Sequence, residues 1–152
     1  MKNCTLGIIV WLSFIQYANS QIAKQYDVVI DEIFADPTPE VGLPALEFVE
    51  LKNISVTPLN LSGWELHDGN STAILPDFIL QPDSFIIVCG KSAAVPYASF
   101  GTTLGVSSFP SLDNDGDIIY LRSPENIIIH AVSYSTSWYQ NELKRLEGGR
   151  WK

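Results

Sequence analysis

Residues 117–134 read DIIYLR-SPEN-IIIHAVSY, and this stretch decides the fold. Asp117–Arg122 and Ile127–Tyr134 are rich in isoleucine, valine and tyrosine, which favour β-strands. Ser123–Asn126 stands between them and contains Pro124, a residue that favours turns and is excluded from central strands. Two strand-forming runs joined by four turn-forming residues predict a β-hairpin.

The rest of the chain repeats this pattern of short extended runs separated by turn residues. Helical periodicity is absent, although Tyr139–Leu146 is long enough for two helical turns. Gly90–Pro110 is the longest stretch that we predict to be irregular. Short strands about ten residues apart predict an all-β sandwich or barrel of about seven to nine strands. The other predicted strands are Tyr26–Ile33, Glu47–Ile54, Leu59–Leu61, Gly63–Leu66, Ala73–Leu75, Phe78–Leu80 and Phe85–Cys89.

The first twenty residues have the three parts of a secretory signal peptide. Met1–Asn3 carries positive charge, Leu6–Ile15 is almost wholly apolar, and Ala18–Ser20 offers small residues for cleavage before Gln21. A retained membrane anchor is the alternative, but the apolar stretch is about ten residues long and a span needs about twenty. We therefore predict a secreted or cell-surface protein with no membrane span after signal removal.

The remainder has the length of one domain, which we place at residues 21–138. Residues 139–152 form a C-terminal segment that we interpret as the start of a truncated continuation. Cys4 belongs to the predicted signal, so Cys89 is left without an intrachain disulfide partner. The apolar neighbours of Cys89 predict a buried thiol rather than a reactive one. An exported chain without disulfides also favours a bacterial source.

The charge distribution bears on the class of partner. The whole chain has a formal net charge of −8, and residues 21–143 contain sixteen acidic and four basic side chains. A surface this negative repels phosphate backbones, so we predict no nucleic-acid partner. Acidity that keeps an exported protein soluble is one interpretation, and carboxylates that gather a divalent cation are the other.

The clearest acidic cluster is Asp113-Asn114-Asp115-Gly116-Asp117. Asp113, Asp115 and Asp117 at alternate positions resemble the start of a calcium loop, but the glycine and the bidentate glutamate of such a loop are out of place. The competing interpretation is a turn into the next strand, with Gly116 at positive φ. We favour the turn, predict no cofactor, and keep these three aspartates as a weak calcium candidate.

The other polar groups do not form a catalytic set. The spacing of His67, His130 and Cys89 fits neither a zinc site nor a nucleophilic pair. A second group of acids would converge if the first two strands pair, and we interpret it as a solvated face. Its members are Asp31, Glu32, Asp36, Glu47 and Glu50. Three glycosylation sequons begin at Asn53, Asn60 and Asn70 and matter only in a eukaryotic secretory pathway.

A succession of motifs over residues 26–136 resembles the lamin tail domain family, and Leu61-Ser62-Gly63-Trp64 is its sharpest element. The resemblance implies an immunoglobulin-like β-sandwich with no catalytic residues, similar to secreted bacterial members. In that fold Trp64 is expected in the core, and Gly63 at a bulge or a close backbone approach. The other motifs are Ile30–Ile33, Glu47–Asn53, Leu80–Ser84 with Ile86–Val88, Leu112–Leu121 and Ala131–Tyr134.

We therefore expect a non-catalytic extracellular interaction or adhesion module. Its ligand is a protein or a glycan, and the candidate surfaces are the loops Asp36–Pro44 and Gly90–Pro110. The alternative is an accessory domain of a larger secreted hydrolase or nuclease whose catalytic part is outside this chain. A third hypothesis is an adhesion domain stabilised by calcium.

Overall fold

The structure is a computed structural model that describes residues 22–40, 42–138 and 149–151. Strands dominate these residues, together with one short α-helix, α1, at Ala94–Tyr97 and a 3-10 helix at Thr136–Trp138. The strands are β1 Val28–Asp36, β2 Phe48–Asn53, β3 Leu59–Asn60, β4 Glu65–His67, β5 Thr72–Ile74, β6 Ile79–Leu80, β7 Phe85–Gly90, β8 Thr103–Val106, β9 Gly116–Arg122, β10 Ile128–Ser135 and β11 Gly149–Trp151.

One layer is a five-stranded sheet in the order β11-β1-β2-β7-β8. Its pairs are antiparallel except for β7 and β8, which run parallel with Val88 opposite Leu104. β1 and β2 pair with each other, with Val49 opposite Ile33. β11 lies in the segment 139–152 and pairs with β1, so β1 is an inner strand.

The second layer is a four-stranded antiparallel sheet in the order β10-β9-β4-β5. The predicted hairpin is confirmed: β9 and β10 pair with Tyr120 opposite Ala131, and Asn126 takes φ 65° in the connecting turn. Only a few residue types tolerate this left-handed conformation, and asparagine is one of them. The fold class is therefore an all-β, immunoglobulin-like sandwich.

The main core lies between the two sheets. Trp64 is 3% exposed and belongs to this core, as expected from its place before β4. Burying each such side chain contributes about 1.5–3 kcal/mol. Strands of both sheets supply fully buried residues, among them Val28, Leu51, Leu66, Ile86, Leu121 and Ile129.

A glycine bulge sets the entry to β4. Gly63 has φ 74°, its N–H donates to Leu75 O at 3.0 Å, and the N–H of Leu75 donates to Trp64 O at 2.8 Å. Gly63 and Trp64 therefore both lie opposite Leu75. This arrangement is a β-bulge whose first residue must adopt the left-handed conformation, which glycine does readily. The bulge turns Trp64 into the core, and the short pair β3–β6 lies nearby.

The prediction of an irregular loop over Gly90–Pro110 is wrong in part, because the stretch contains α1 and β8. α1 has only four residues and includes Pro96, so its sequence lacks a helical period. β8 contains Gly105, and its pairing with β7 across an intervening helix has no local turn signal. The predicted signal peptide and the predicted helical turns at Tyr139–Leu146 lie outside the described residues.

Candidate interaction surfaces

The two loops proposed from sequence pack against each other on the side of the five-stranded sheet that faces away from the main core. The single hydroxyl hydrogen of Tyr97 in α1 has two main-chain acceptors in range, with Pro44 O at 2.9 Å and Leu46 O at 2.5 Å from the hydroxyl oxygen. Leu43 and Leu46 pack with α1 over Phe34 and Phe48, and these residues form a second small core. We call this unit, residues 42–46 with residues 93–97, the cap. Because Tyr97 is fully buried, the cap is a packed structure rather than two independent loops.

Cys89 lies under the cap and is fully buried. Burial raises the pKa of its thiol to about 11, since the thiolate has no compensating charge there. The aromatic rings of Phe48 and Tyr97 form the wall of the same cluster. The structure thus places Cys89 as a packing residue, as the sequence predicted.

Carboxylates from both predicted acidic groups meet at one end of the sandwich. Asn114 Nδ2 lies 3.5 Å from Asp36 Oδ1, and Glu47 Oε2 accepts a hydrogen bond from Leu112 N at 3.3 Å. Burial raises the pKa of Glu47, and the nearby Asp113 carboxylate raises it further. Desolvation likewise raises the pKa of Asp117, with Asp68 and Asp113 adding to it.

The Asp113–Asp117 stretch has the geometry of the predicted turn. Gly116 takes φ 139°, its N–H donates to Asp113 O, and a Cβ there would lie 2.6 Å from Tyr134 O. Asp115 O accepts from Thr136 N. Among the residues that the structure describes, no three His, Cys, Asp or Glu side chains are grouped so that they could hold a metal ion. Calcium binding at these aspartates stays a prediction.

The acidic group on β1 and β2 is not simply a solvated face. Glu32 is 2% exposed and lies opposite Glu50 in the register. Since β1 has neighbours on both sides, Glu32 is in the middle of the sheet rather than at its edge. Both glutamates make interactions within the molecule. The solvated-face interpretation is therefore wrong for Glu32.

The two histidines occupy separate places, and each has a structural role. His130 Nδ1 accepts a hydrogen bond from Ile30 N at 3.0 Å, which ties β10 of one sheet to β1 of the other. Burial lowers the pKa of His130 and so favours the neutral ring that this bond requires. Tyr26 packs edge-on against the same ring.

His67 belongs to a polar cluster on the outer face of the four-stranded sheet, which the sequence did not reveal. Its ring stacks on Tyr120 with 4.6 Å between centroids, and its Nδ1 and Nε2 lie 2.8 Å from Thr72 Oγ1 and 3.0 Å from Glu65 Oε2. A neutral ring protonated on Nε2 satisfies both contacts. Arg122 Nε donates to Glu65 at 2.7 Å, and hydrogen bonds from His67 and Arg122 lower the pKa of Glu65.

Three isoleucines surround this polar cluster. Ile74, Ile118 and Ile128 are 64%, 56% and 51% exposed. Ile74 is opposite Glu65, and Ile128 is opposite Arg122. Directly opposed residues share a face, and Ile118 shares the parity of Arg122, so all three lie on the outer face. We call this surface, Ile74, Ile118 and Ile128 with the Glu65–His67–Tyr120–Arg122 cluster, the outer face.

The sequons differ in accessibility. Asn53 is fully buried, and its Nδ2 donates to Thr57 O and Leu80 O at 2.9 Å each. Its amide is thus committed to the fold. Asn60 and Asn70 are exposed.

The two packed sheets define an immunoglobulin-like β-sandwich domain. One of its outward surfaces is covered by the cap, and the other carries the exposed isoleucines. None of the helices in the described part of the chain has the length and apolar character needed to cross a membrane. Residues 21–136 match the model of the Lamin Tail Domain family, and the chain belongs to that family. No curated protein matches the chain.

Proposed function

We propose that this chain is a non-catalytic interaction module that acts outside the cell and binds a protein surface through the outer face. Family membership supports this, because the lamin tail domain is an immunoglobulin-like fold whose sandwich is compatible with binding rather than catalysis. Export rests on the signal-like residues 1–20.

The observation that carries the proposal is the exposure of three isoleucines on one ordered sheet face. Ile74, Ile118 and Ile128 are each more than half exposed, although a strand facing water normally alternates to polar residues there. The isoleucines share this face with Tyr120 and Arg122, and exposed apolar, tyrosine and arginine side chains are the types enriched in protein interfaces. Isoleucine side chains offer no donor or acceptor to sugar hydroxyls, and Glu65, His67 and Arg122 already use polar groups in hydrogen bonds within the cluster, so a protein partner is favoured over a glycan.

The hydrogen-bonded cluster between the isoleucines supports the same proposal. The Glu65 carboxylate is hydrogen-bonded to both His67 and Arg122, and His67 stacks on Tyr120, which fixes these side chains before any partner arrives. A preorganised surface loses less side-chain entropy on binding than a flexible one. Tyrosine and arginine are also the residue types most enriched where binding energy concentrates.

Cell binding tests the proposal. Fluorescently labelled chain is added to intact cells of the organism that makes it, and a variant with Ile118→Ser and Ile128→Ser is compared with a control, Val56→Ser. Val56 is 92% exposed and lies in the turn between β2 and β3, away from the outer face. We expect saturable binding by wild type and the control, and at least about tenfold weaker binding by the double variant. Saturable binding that survives the double substitution would contradict the proposal.

Export has its own test. The chain expressed in its source organism should be found outside the cytoplasm with Gln21 as its first residue, as determined by mass spectrometry of the N-terminal peptide. Recovery of the chain in the cytoplasm with residues 1–20 intact would contradict the extracellular part of the proposal.

A further inference from the structure

The two sheets leave an open cleft on the side where β5 and β8 are the last strands. The cleft has a volume of about 320 Å³. Both strands line it, together with the segments that follow each of them. The residues that matter for the argument are Thr72, Ile74, Lys91, Gly105, Val106 and Ser108.

β5 presents unpaired main-chain groups along this cleft. The N–H of Leu75 donates to Trp64 O, and the C=O of Leu75 accepts from Gly63 N, so both main-chain groups of Leu75 point toward the chain that leads into β4. Main-chain direction alternates along an antiparallel strand, so Thr72 and Ile74 direct their N–H and C=O groups away from β4. Within the described residues no strand pairs with that side of β5. An open row of this kind is a template for one more strand.

β8 forms the opposite wall of the cleft, and α1 packs against one face of this strand. Thr103 Oγ1 donates to Ala94 O, and a Cβ at Gly105 would lie 3.1 Å from Ala94 Cβ. α1 therefore covers the Thr103 and Gly105 face of β8, and no described strand pairs with the free edge of β5. A strand added beside β5 would have Gly105 and Val106 on the facing wall of the cleft.

The charge at the rim of the cleft indicates what kind of side chain a ligand would carry. Lys52 lies 3.1 Å from Asp83, and Arg122 pairs with Glu65, whereas Lys91, like Lys24, makes no ion pair with the described residues. Lys91 is exposed at the rim of the cleft. In a domain this acidic, a lysine left without a carboxylate beside an open strand edge favours a ligand that brings one.

We propose that this cleft binds an extended peptide segment of a partner protein, which adds to the sheet as a strand beside β5 and places a carboxylate at Lys91. The inference rests on the proposed function and names the binding mode for one segment of the partner. Main-chain bonds to Thr72 and Ile74 supply affinity, and Lys91 and the exposed Ile74 side chain supply selectivity.

The probe is a phage library of random dodecapeptides selected on the immobilised full chain. We expect enriched peptides that alternate apolar side chains and carry an acidic residue, and these are then synthesised for affinity measurement. Ile74→Pro removes the outward N–H and is tolerated at a sheet edge, whereas the control Ile74→Val keeps that N–H. Ile74→Pro should weaken binding at least about tenfold and Ile74→Val by less than about threefold. Lys91→Glu should weaken binding more than Lys91→Gln does.

Amide exchange by NMR keeps the test independent of the folding of Ile74→Pro. On peptide binding the wild-type amides of Thr72 and Ile74 should become protected, while the amide of Ala73 should change little because it faces β4. Three outcomes would overturn the inference. They are failure to enrich any peptide, enriched peptides that leave Thr72 and Ile74 unprotected, and protection that depends only on self-association of the chain. Cell binding that is lost with the Ile118 and Ile128 substitutions would leave the proposed function standing in each case.

Discussion

Asn53 is a single buried side chain that joins three parts of the chain. Its Nδ2 donates to Thr57 O and Leu80 O, and its Oδ1 accepts from Ser55 N at 2.9 Å and from Ser55 Oγ at 2.7 Å. The sequence placed this residue in a predicted strand, at the end of a family motif and at the start of a sequon, but it did not indicate these hydrogen bonds. Asn53 can hold these segments together only because β3 and β6 lie beside it. No pattern of neighbouring residues in the sequence predicts that arrangement.

Asn53→Ala should lower the free energy of unfolding by about 3 kcal/mol, because each buried partner left unsatisfied costs about 1–3 kcal/mol. Urea denaturation measures this directly. Asn60→Ala is the matched control: Asn60 is exposed, its Oδ1 accepts from Ser62 N, and the loss of its side chain should cost less than about 1 kcal/mol. A loss below about 1 kcal/mol for Asn53→Ala would contradict this role.

The Asp113–Asp117 turn leads to a prediction about calcium. The Asp113 carbonyl already accepts from Gly116 N and from the Tyr134 hydroxyl, and the Asp117 carboxylate accepts from Ile118 N at 2.6 Å. We expect the thermal midpoint to be the same in millimolar calcium and in chelator, as scanning calorimetry would show. A clear upward shift with calcium, absent in Asp115→Asn, would establish a calcium site instead.

At the scale of elements, the cap is the most self-contained unit. The Tyr97 hydroxyl bonds to the main chain of residues 44 and 46, and Cys89 lies beneath. In a Cys4→Ser background, Tyr97→Phe should cost about 1–2 kcal/mol and accelerate labelling of Cys89 by a thiol reagent at neutral pH. Val95→Ala, at an exposed position of α1, is the control. Equal labelling rates in wild type and Tyr97→Phe would show that the hydroxyl does not hold the cap.

His130 links β10 to β1 and gives stability a pH dependence. Because burial lowers its pKa, the folded state prefers the neutral ring. Its contribution is fully present above the unfolded pKa of about 6.5 and is lost as the pH falls through that value toward the lower folded pKa. His130→Asn keeps an acceptor for Ile30 N but does not titrate. The unfolding free energy of His130→Asn should therefore fall less than that of wild type between neutral and mildly acidic pH. Urea denaturation at a series of pH values measures this, and parallel plots of unfolding free energy against pH for the two proteins would contradict it.

The elements differ in how far the sequence could predict them. The β9–β10 hairpin followed from residues adjacent in the chain, and the bulge at Gly63 followed from one glycine before a tryptophan. β8 was missed because its partner β7 lies across α1, so nothing local marks the parallel pair. The outer-face cluster was missed for the same reason: Glu65 and Arg122 are 57 positions apart and meet only because β4 pairs with β9.

At the scale of the molecule, the fold separates two kinds of surface. The cap closes one face of the five-stranded sheet with buried aromatic rings, while the outer face of the other sheet keeps its isoleucines in water. Acidic groups gather at the end near Asp36, Glu47 and Asp113, so an incoming partner meets an apolar face beside a negative one. This arrangement favours selective protein binding, since charge steers the approach and apolar area supplies affinity.

Site-specific photo-cross-linking tests this account most directly. A photoreactive phenylalanine analogue replaces Ile118 on the outer face in one variant and Val56 in another, and each is illuminated on intact cells of the source organism. The account predicts one dominant protein adduct from position 118, competed away by unlabelled wild-type chain and absent from position 56. Equal adducts from both positions, or none from position 118 while the chain still binds cells saturably, would contradict it.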